Sequence, residues 1–148
     1  MVRRAQEKDL EQIMEIWLSG NRQAHGFVQA EYWESHFSMV REQLLDAEVY
    51  VYDMDGRVLG FAGVQGDYLA GIFVDSQFRS EGIGRQLLNR VKEAHPILTL
   101  NVYQKNEGAV KFYQREGFQA VSDGVDEDTG EREYTMAWRR KGICKSEK

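Results

Sequence analysis

The spacing of apolar residues along the chain alternates between a period near four and a period of two. Val2 to Ala5 is a short strand-like start. Asp9, followed three residues later by Gln12, has the spacing of a capping box, and Leu10, Ile13, Met14 and Trp17 then make an apolar stripe. This predicts a first helix ending near Gly20. Over 31–45, Trp33, Phe37, Val40 and Leu44 fall at i, i+4, i+7 and i+11, the pattern of one second amphipathic helix. The runs "AEVYVYD", "RVLGFAGVQ" and "YLAGIFV" are β-branched and aromatic, and Asp55-Gly56 and Gly66-Asp67 stand between them. That is the signature of three meandering antiparallel strands.

Helical period returns at Gly82, with Gly84, Leu87, Leu88 and Val91 on one face, and stops at His95-Pro96, because a residue before proline disfavours helix. "ILTLNVY", 97–103, is another strand. Strand, helix, strand without room for a hairpin is a crossover, so the strands ending at Val74 and Tyr103 run parallel. Asn106 caps a further helix bearing Ala109, Val110, Phe112 and Tyr113, closed by Gly117. Two final strands, "FQAVSDG" and "EREYTMAW", flank an acidic loop over 123–131. The expected class is α/β with an α+β mixed sheet, in the order β-α-α-β-β-β-α-β-α-β-β, mostly antiparallel with one central parallel strand pair.

Length and composition fit one globular domain. The chain has 148 residues, 42% hydrophobic and 29% charged, with a single proline; a domain over 1–140 and a polar tail over 141–148 are expected. Nineteen Lys and Arg against 24 Asp and Glu give a net charge of -5, which disfavours nucleic acid and suits a cationic partner. The basic N-terminus has no apolar core behind it, and no apolar run is long enough for a membrane span, so a cytoplasmic location is expected. Cys144 is alone and the three histidines are scattered, which predicts neither an internal disulfide nor a metal.

The stretch "VDSQFRSEGIGRQLLNRVKEA", 74–94, turns from strand to helix through Arg79, Gly82 and Gly84. A helix that starts directly after a strand presents unpaired N–H groups and the positive end of its dipole, an arrangement that suits an anion. Glycines let a phosphate come close, and Arg79 adds a paired donor. The competing explanation is that Gly82 and Gly84 only pack the helix on the sheet. No Lys-Ser or Lys-Thr follows, and the three-glycine dinucleotide spacing is missing, so neither a Walker loop nor a Rossmann turn fits.

Arg79-Ser80-Glu81-Gly82-Ile83-Gly84 matches the Q/R-x-x-G-x-G/A signature of the GNAT superfamily of N-acetyltransferases, and "NVYQKNEGAVKFYQREGF", 101–118, resembles that family's N-x-x-A-x-x-F-Y-x-x-x-G-F element. The order of elements over 2–138 agrees as well. Through "HGFVQAEYW" and "VYQKN" the chain looks most similar to small bacterial members of the YiaC type.

The resemblance implies an acetyl-CoA-dependent enzyme. Its pyrophosphate would lie on Arg79, Ser80, Glu81, Gly82, Ile83, Gly84 and Arg85. The pantetheine arm would enter between splayed strands and pair with backbone groups of Ile72, Phe73 and Val74 as an added strand does. Phe73 and Val74 are equally suited to the core. A neutral amine would attack the thioester directly, with a backbone N–H stabilising the oxyanion. Tyr113 occupies the family position that protonates the departing sulfur, and Asn106 the position that contacts CoA at a helix start; packing and simple capping are the alternatives. Some protein-acetylating relatives carry a glutamate where this chain has Asn101, which cannot act as a base. Glu31, His25, His36 and Asp67 remain as candidates.

For the acceptor, His25, Phe27, Tyr32 and Trp33 supply aromatic faces for an alkyl-ammonium stem, with Asn101 nearby on its strand. The acidic residues of 123–131 suit a cationic peptide or polyamine. A protein lysine, a protein N-terminus or a small amine are the acceptors considered, with the enzyme a monomer or homodimer. A non-catalytic acyl-CoA sensor is the rival reading, and acyl transfer through Cys144 a remote third.

Overall fold

The computed structural model describes the backbone of residues 1–24, 30–79 and 81–140. Among these residues seven strands form one sheet: β1 Val2–Arg4, β2 Glu48–Met54, β3 Arg57–Gln65, β4 Tyr68–Val74, β5 Ile97–Tyr103, β6 Gln119–Val125 and β7 Arg132–Arg139. The helices are α1 Leu10–Ala24, α2 Ala30–Ser35, α3 Phe37–Asp46, α4 Ile83–Ala94 and α5 Glu107–Arg115. The spatial order of strands is β1-β2-β3-β4-β5-β7-β6, so β7 inserts between β5 and β6. All pairs are antiparallel except β4 with β5. The mixed sheet predicted from hydrophobic period is therefore the one observed.

Alternation along the strands sends side chains to two cores, one on each face. Tyr50, Leu59, Leu69, Leu98, Leu100 and Met136 pack with Ile83, Leu87, Leu88 and Val91 of α4 and Tyr113 of α5. On the opposite face Val49, Val51, Val58 and Phe61 meet Ile13, Met14 and Trp17 of α1 and Trp33 of α2. Among the described residues no helix is long and apolar enough to cross a membrane.

Three local expectations are corrected. Asp9 closes the capping box from its other end: its carboxylate accepts from the Gln6 N–H at 2.8 Å, and a 3₁₀ turn, Glu7–Asp9, leads into α1. The Arg3 guanidinium, 2.9 Å away, holds the buried Asp9 carboxyl below the usual carboxylate range. Gln12 instead reaches β3, accepting from the Val58 N–H at 2.9 Å. The first helix does not end at Gly20 but runs on to Ala24. Gly20 serves a close approach, since a Cβ there would lie 3.2 Å from the Phe73 ring.

The expected single helix over 31–45 is two, broken at His36. Ser35 Oγ (2.8 Å) and His36 Nδ1 (2.7 Å) both donate to the Tyr32 carbonyl, drawing that acceptor away from the backbone ladder. Apolar period alone does not register such competition.

Candidate active site

The parallel pair at the centre of the sheet is joined at one register position, Tyr68 with Thr99. Beyond it the strands diverge. On the β3 side, Gly63 pairs with Gly71 and Val64 with Leu69, which leaves Ala70 unmatched in a bulge. A bulge bends its strand and increases local twist, and here it falls just past the one β4–β5 pair. The β5-facing backbone edge of Ala70–Val74 is thus without a strand partner, a ready template for an extended amide-bearing chain. The Ile72 and Val74 side chains pack against the α4-side core and the Phe73 ring stacks on Phe61 at 5.2 Å. The side chains thus serve packing while the backbone edge is left open.

At one end of the gap lies the turn into α4. Gly82 is the N-cap residue with φ of 83°, a left-handed conformation that side-chain-bearing residues rarely adopt. The first acceptor used in the helix is its carbonyl, which takes the Gln86 N–H at 3.0 Å, so the amides of Ile83, Gly84 and Arg85 have no partner within the helix. Around them is a cavity of about 470 Å³ lined by Arg79, Gly82, Gly84, Arg85, Phe112 and Arg115. Three arginines face this cavity, and Glu116 is 3.7 Å from Arg85.

Gly84 is not demanded by helix–sheet packing. A Cβ there would meet Phe112 at 3.6 Å and Val74 at 3.8 Å, ordinary contacts. The close approach of α4 to the sheet is made at Gly60, where a Cβ would come within 2.8 Å of the Phe73 carbonyl and 3.3 Å of Ile83. Close helix–sheet contact therefore does not account for Gly82 or Gly84. Arg115 is a residue the sequence reading missed. It lies one helical turn beyond Phe112, and only the tertiary contact of Phe112 with Gly84 brings it over the turn. Glu81 is exposed in the turn, Ile83 is buried with only its amide available, and Ser80 lies outside the described residues.

At the other end the gap opens into a cleft of about 420 Å³ that reaches both faces of the sheet. Trp17, Trp33, Tyr68, Tyr103, Asn101, Asn106, Tyr113, Asp126 and Glu133 border it. Tyr113 is 7% exposed, and burial, with Tyr68 adding to it, pushes its phenol above the ordinary range. The group is therefore a proton-bearing O–H at neutral pH. Asn106 caps α5, its Oδ1 accepting from the Ala109 N–H at 3.2 Å, and also borders the cleft, so capping and lining coexist in one residue. Trp33 is core and wall together, edge-on to Trp17 at 6.1 Å. Tyr32 stacks edge-on to Trp33 at 4.8 Å, and its hydroxyl is directed at Asp128, 3.5 Å away.

Asn101 is engaged: its Oδ1 accepts from Thr135 Oγ1 at 2.8 Å. The three described base candidates are not brought to the cleft. His36 is tied to the Tyr32 carbonyl, Asp67 interacts with His95 at 3.3 Å beside the β3–β4 turn, and Glu31 is exposed on α2. His25 and Phe27, like Cys144, lie outside the described residues. The carboxylates that do border the cleft, Asp126 and Glu133, come from the β6–β7 hairpin. Among the described residues no group of three or more His, Cys, Asp or Glu is placed to hold a metal ion.

Comparison with known proteins agrees with this geometry. Residues 11–143 match the family model for an acetyltransferase (GNAT) domain. The chain is 38% identical over 140 residues to the peptidyl-lysine N-acetyltransferase YiaC of Escherichia coli K12, covering 93% of this chain and 96% of that protein. It is 31% identical over 130 residues to the peptidyl-lysine N-acetyltransferase YjaB of the same organism, covering 87% and 88%. The solution structure of apo YjaB superposes with a TM-score of 0.82 over 93% of this chain and 96% of that one, at 29% identity. The chain belongs to the GNAT acetyltransferases, enzymes that transfer the acetyl group of acetyl-CoA to an amine.

Proposed function

We propose that the amine this enzyme acetylates is the side chain of a protein lysine, with Tyr113 as the acid that protonates the departing thiolate. The observation that carries the acceptor reading is the cleft itself, in which four aromatic rings, Trp17, Trp33, Tyr68 and Tyr103, surround a space edged by carboxylates. Such walls suit an alkyl stem ending in a cation. Tyr32 with Asp128 extends the same character outward, toward where a flanking peptide would lie. The names of YiaC and YjaB as peptidyl-lysine acetyltransferases support the same acceptor.

The roles then divide along the gap. Arg79, Arg85 and Arg115, with the amides of Ile83, Gly84 and Arg85, hold the pyrophosphate. The open edge of β4 receives the amides of the pantetheine arm, and Tyr113 meets the sulfur. Lys-containing peptides, peptides with a free N-terminus and no lysine, and simple alkylamines are compared by release of free CoA thiol. The expected ranking places lysine peptides first by at least tenfold in kcat/KM. A lysine-free peptide or an alkylamine turning over as fast would overturn the peptidyl-lysine assignment.

A further inference from the structure

With asparagine at 101, the strand that bears Tyr103 offers no carboxylate, yet an alkyl ammonium must lose a proton before it attacks. A lysine amine with its ordinary pKa of about 10.4 is neutral in only roughly one molecule in 2,500 at pH 7. The register of β5 on β7 shows where a carboxylate is available: Asn101 pairs with Thr135 and Tyr103 with Glu133. Residues two apart on a strand share a face, so Glu133 is the diagonal neighbour of Asn101, one strand across and two residues along.

Its surroundings suit proton transfer. Glu133 borders the same cleft as Tyr113 and is only partly exposed. Among the described residues its carboxylate makes no hydrogen bond or ion pair, whereas Asp126, the other carboxylate of the cleft, accepts from the Tyr103 hydroxyl at 2.6 Å and from the Asp128 N–H at 2.9 Å. The titratable groups that share the cleft with Glu133 are Asp126 from the β6–β7 loop, Tyr68 from β4, Tyr103 from β5 and Tyr113 from α5. The nearby cations are turned elsewhere, Lys105 to Glu131 at 3.1 Å and Arg132 to Asp123 at 3.1 Å. Burial, with Asp126 adding to it, holds the Glu133 carboxyl above the usual carboxylate range, closer to the pH at which a base must work.

We infer that Glu133 is the general base of the transfer, the carboxylate that takes the proton from the acceptor ammonium at the mouth of the cleft. This rests on the acceptor being an alkyl amine, as proposed above. The ammonium gives one proton to Glu133, and the freed nitrogen lone pair forms the N–C bond at the thioester carbon. As the C–S bond breaks, Tyr113 gives its proton to sulfur. The second proton leaving nitrogen restores the Tyr113 phenol, and the one on Glu133 passes to solvent. The sum is amide, CoA thiol and one released proton.

The test compares wild type, Glu133→Gln and Glu133→Asp on a lysine peptide and on the same peptide carrying an aminooxy group in place of the lysine amine, which is uncharged at neutral pH. On the lysine peptide Glu133→Gln should lower kcat/KM by about 10²–10⁴ and remove the acidic limb of its pH profile. The aminooxy peptide should lose less than tenfold, acetyl-CoA affinity should be unchanged, and Glu133→Asp should keep the limb. A rate within threefold of wild type with the limb intact overturns the assignment, and so does an equal loss on both peptides. If wild type acetylates alkylamines and no lysine peptide, the peptidyl acceptor falls, and the same comparison on the alkylamine still decides Glu133.

Discussion

The two ends of the central gap are built by different means. The proposed anion seat is nearly all local: a strand, a turn with Arg79 and Gly82, and the first amides of α4, contiguous along the chain. The acceptor cleft is assembled from α1, α2, β4, β5, α5 and the β6–β7 hairpin, elements dispersed along the sequence. In the proposed function the backbone supplies the recognition at the first end and side chains only add charge. At the second, side chains supply all of it. A binding site made of main chain needs a turn, while one made of side chains needs a whole fold.

Breaking each end separately should expose this division. The largest effect is expected at the acceptor end: Tyr113→Phe removes the only acid in the scheme and should lower kcat by about 10²–10⁴, with acetyl-CoA affinity measured by calorimetry nearly unchanged. An unaltered kcat would take Tyr113 out of the chemistry. At the anion end, Gly82→Asp forces a side chain into a left-handed turn and places a negative charge where one is to be bound. Acetyl-CoA affinity should fall by more than about a hundredfold. Far-ultraviolet circular dichroism should stay as in wild type, because nothing lies within 4 Å of the new Cβ. Retained tight binding would refute the seat. The smallest change sharpens the comparison: Arg115→Ala removes one exposed cation and leaves every backbone donor in place, so the KM for acetyl-CoA should rise only about three- to tenfold. A loss as large as that of Gly82→Asp would mean that side chains, not amides, dominate there.

The same division governs what could be read from the sequence. The strands β2 to β5 and the turn before α4 were legible because period, turn residues and an unpaired helix start are local signals. Tyr113 and Asn106 were legible through the spaced motif that contains them. The split of the second helix was not, because it depends on Ser35 and His36 competing for one carbonyl. Nor was Gly20 inside α1, whose reason is a ring on β4. Glu133 is the clearest case. In the sequence it is one acid among several near the last turn, and only the pairing of β7 beside β5 makes it a neighbour of Asn101. A reader who placed β7 between β5 and β6 could have found it by counting register from Tyr103.

The single rung between β4 and β5 has one more consequence. Around it the α4-side core, with Leu69, Leu98, Leu100 and Met136, bridges the two halves of the sheet. Above it they are joined by no ladder, so the molecule is a wedge, closed at the base and parted at the rim. An occupant of the rim becomes the missing rung, and its affinity is returned as resistance to heat: at a hundred times its dissociation constant it adds about 2.7 kcal/mol to the native state. The melting temperature should therefore be highest with acetyl-CoA bound and lowest in the empty protein, which differential scanning calorimetry would check.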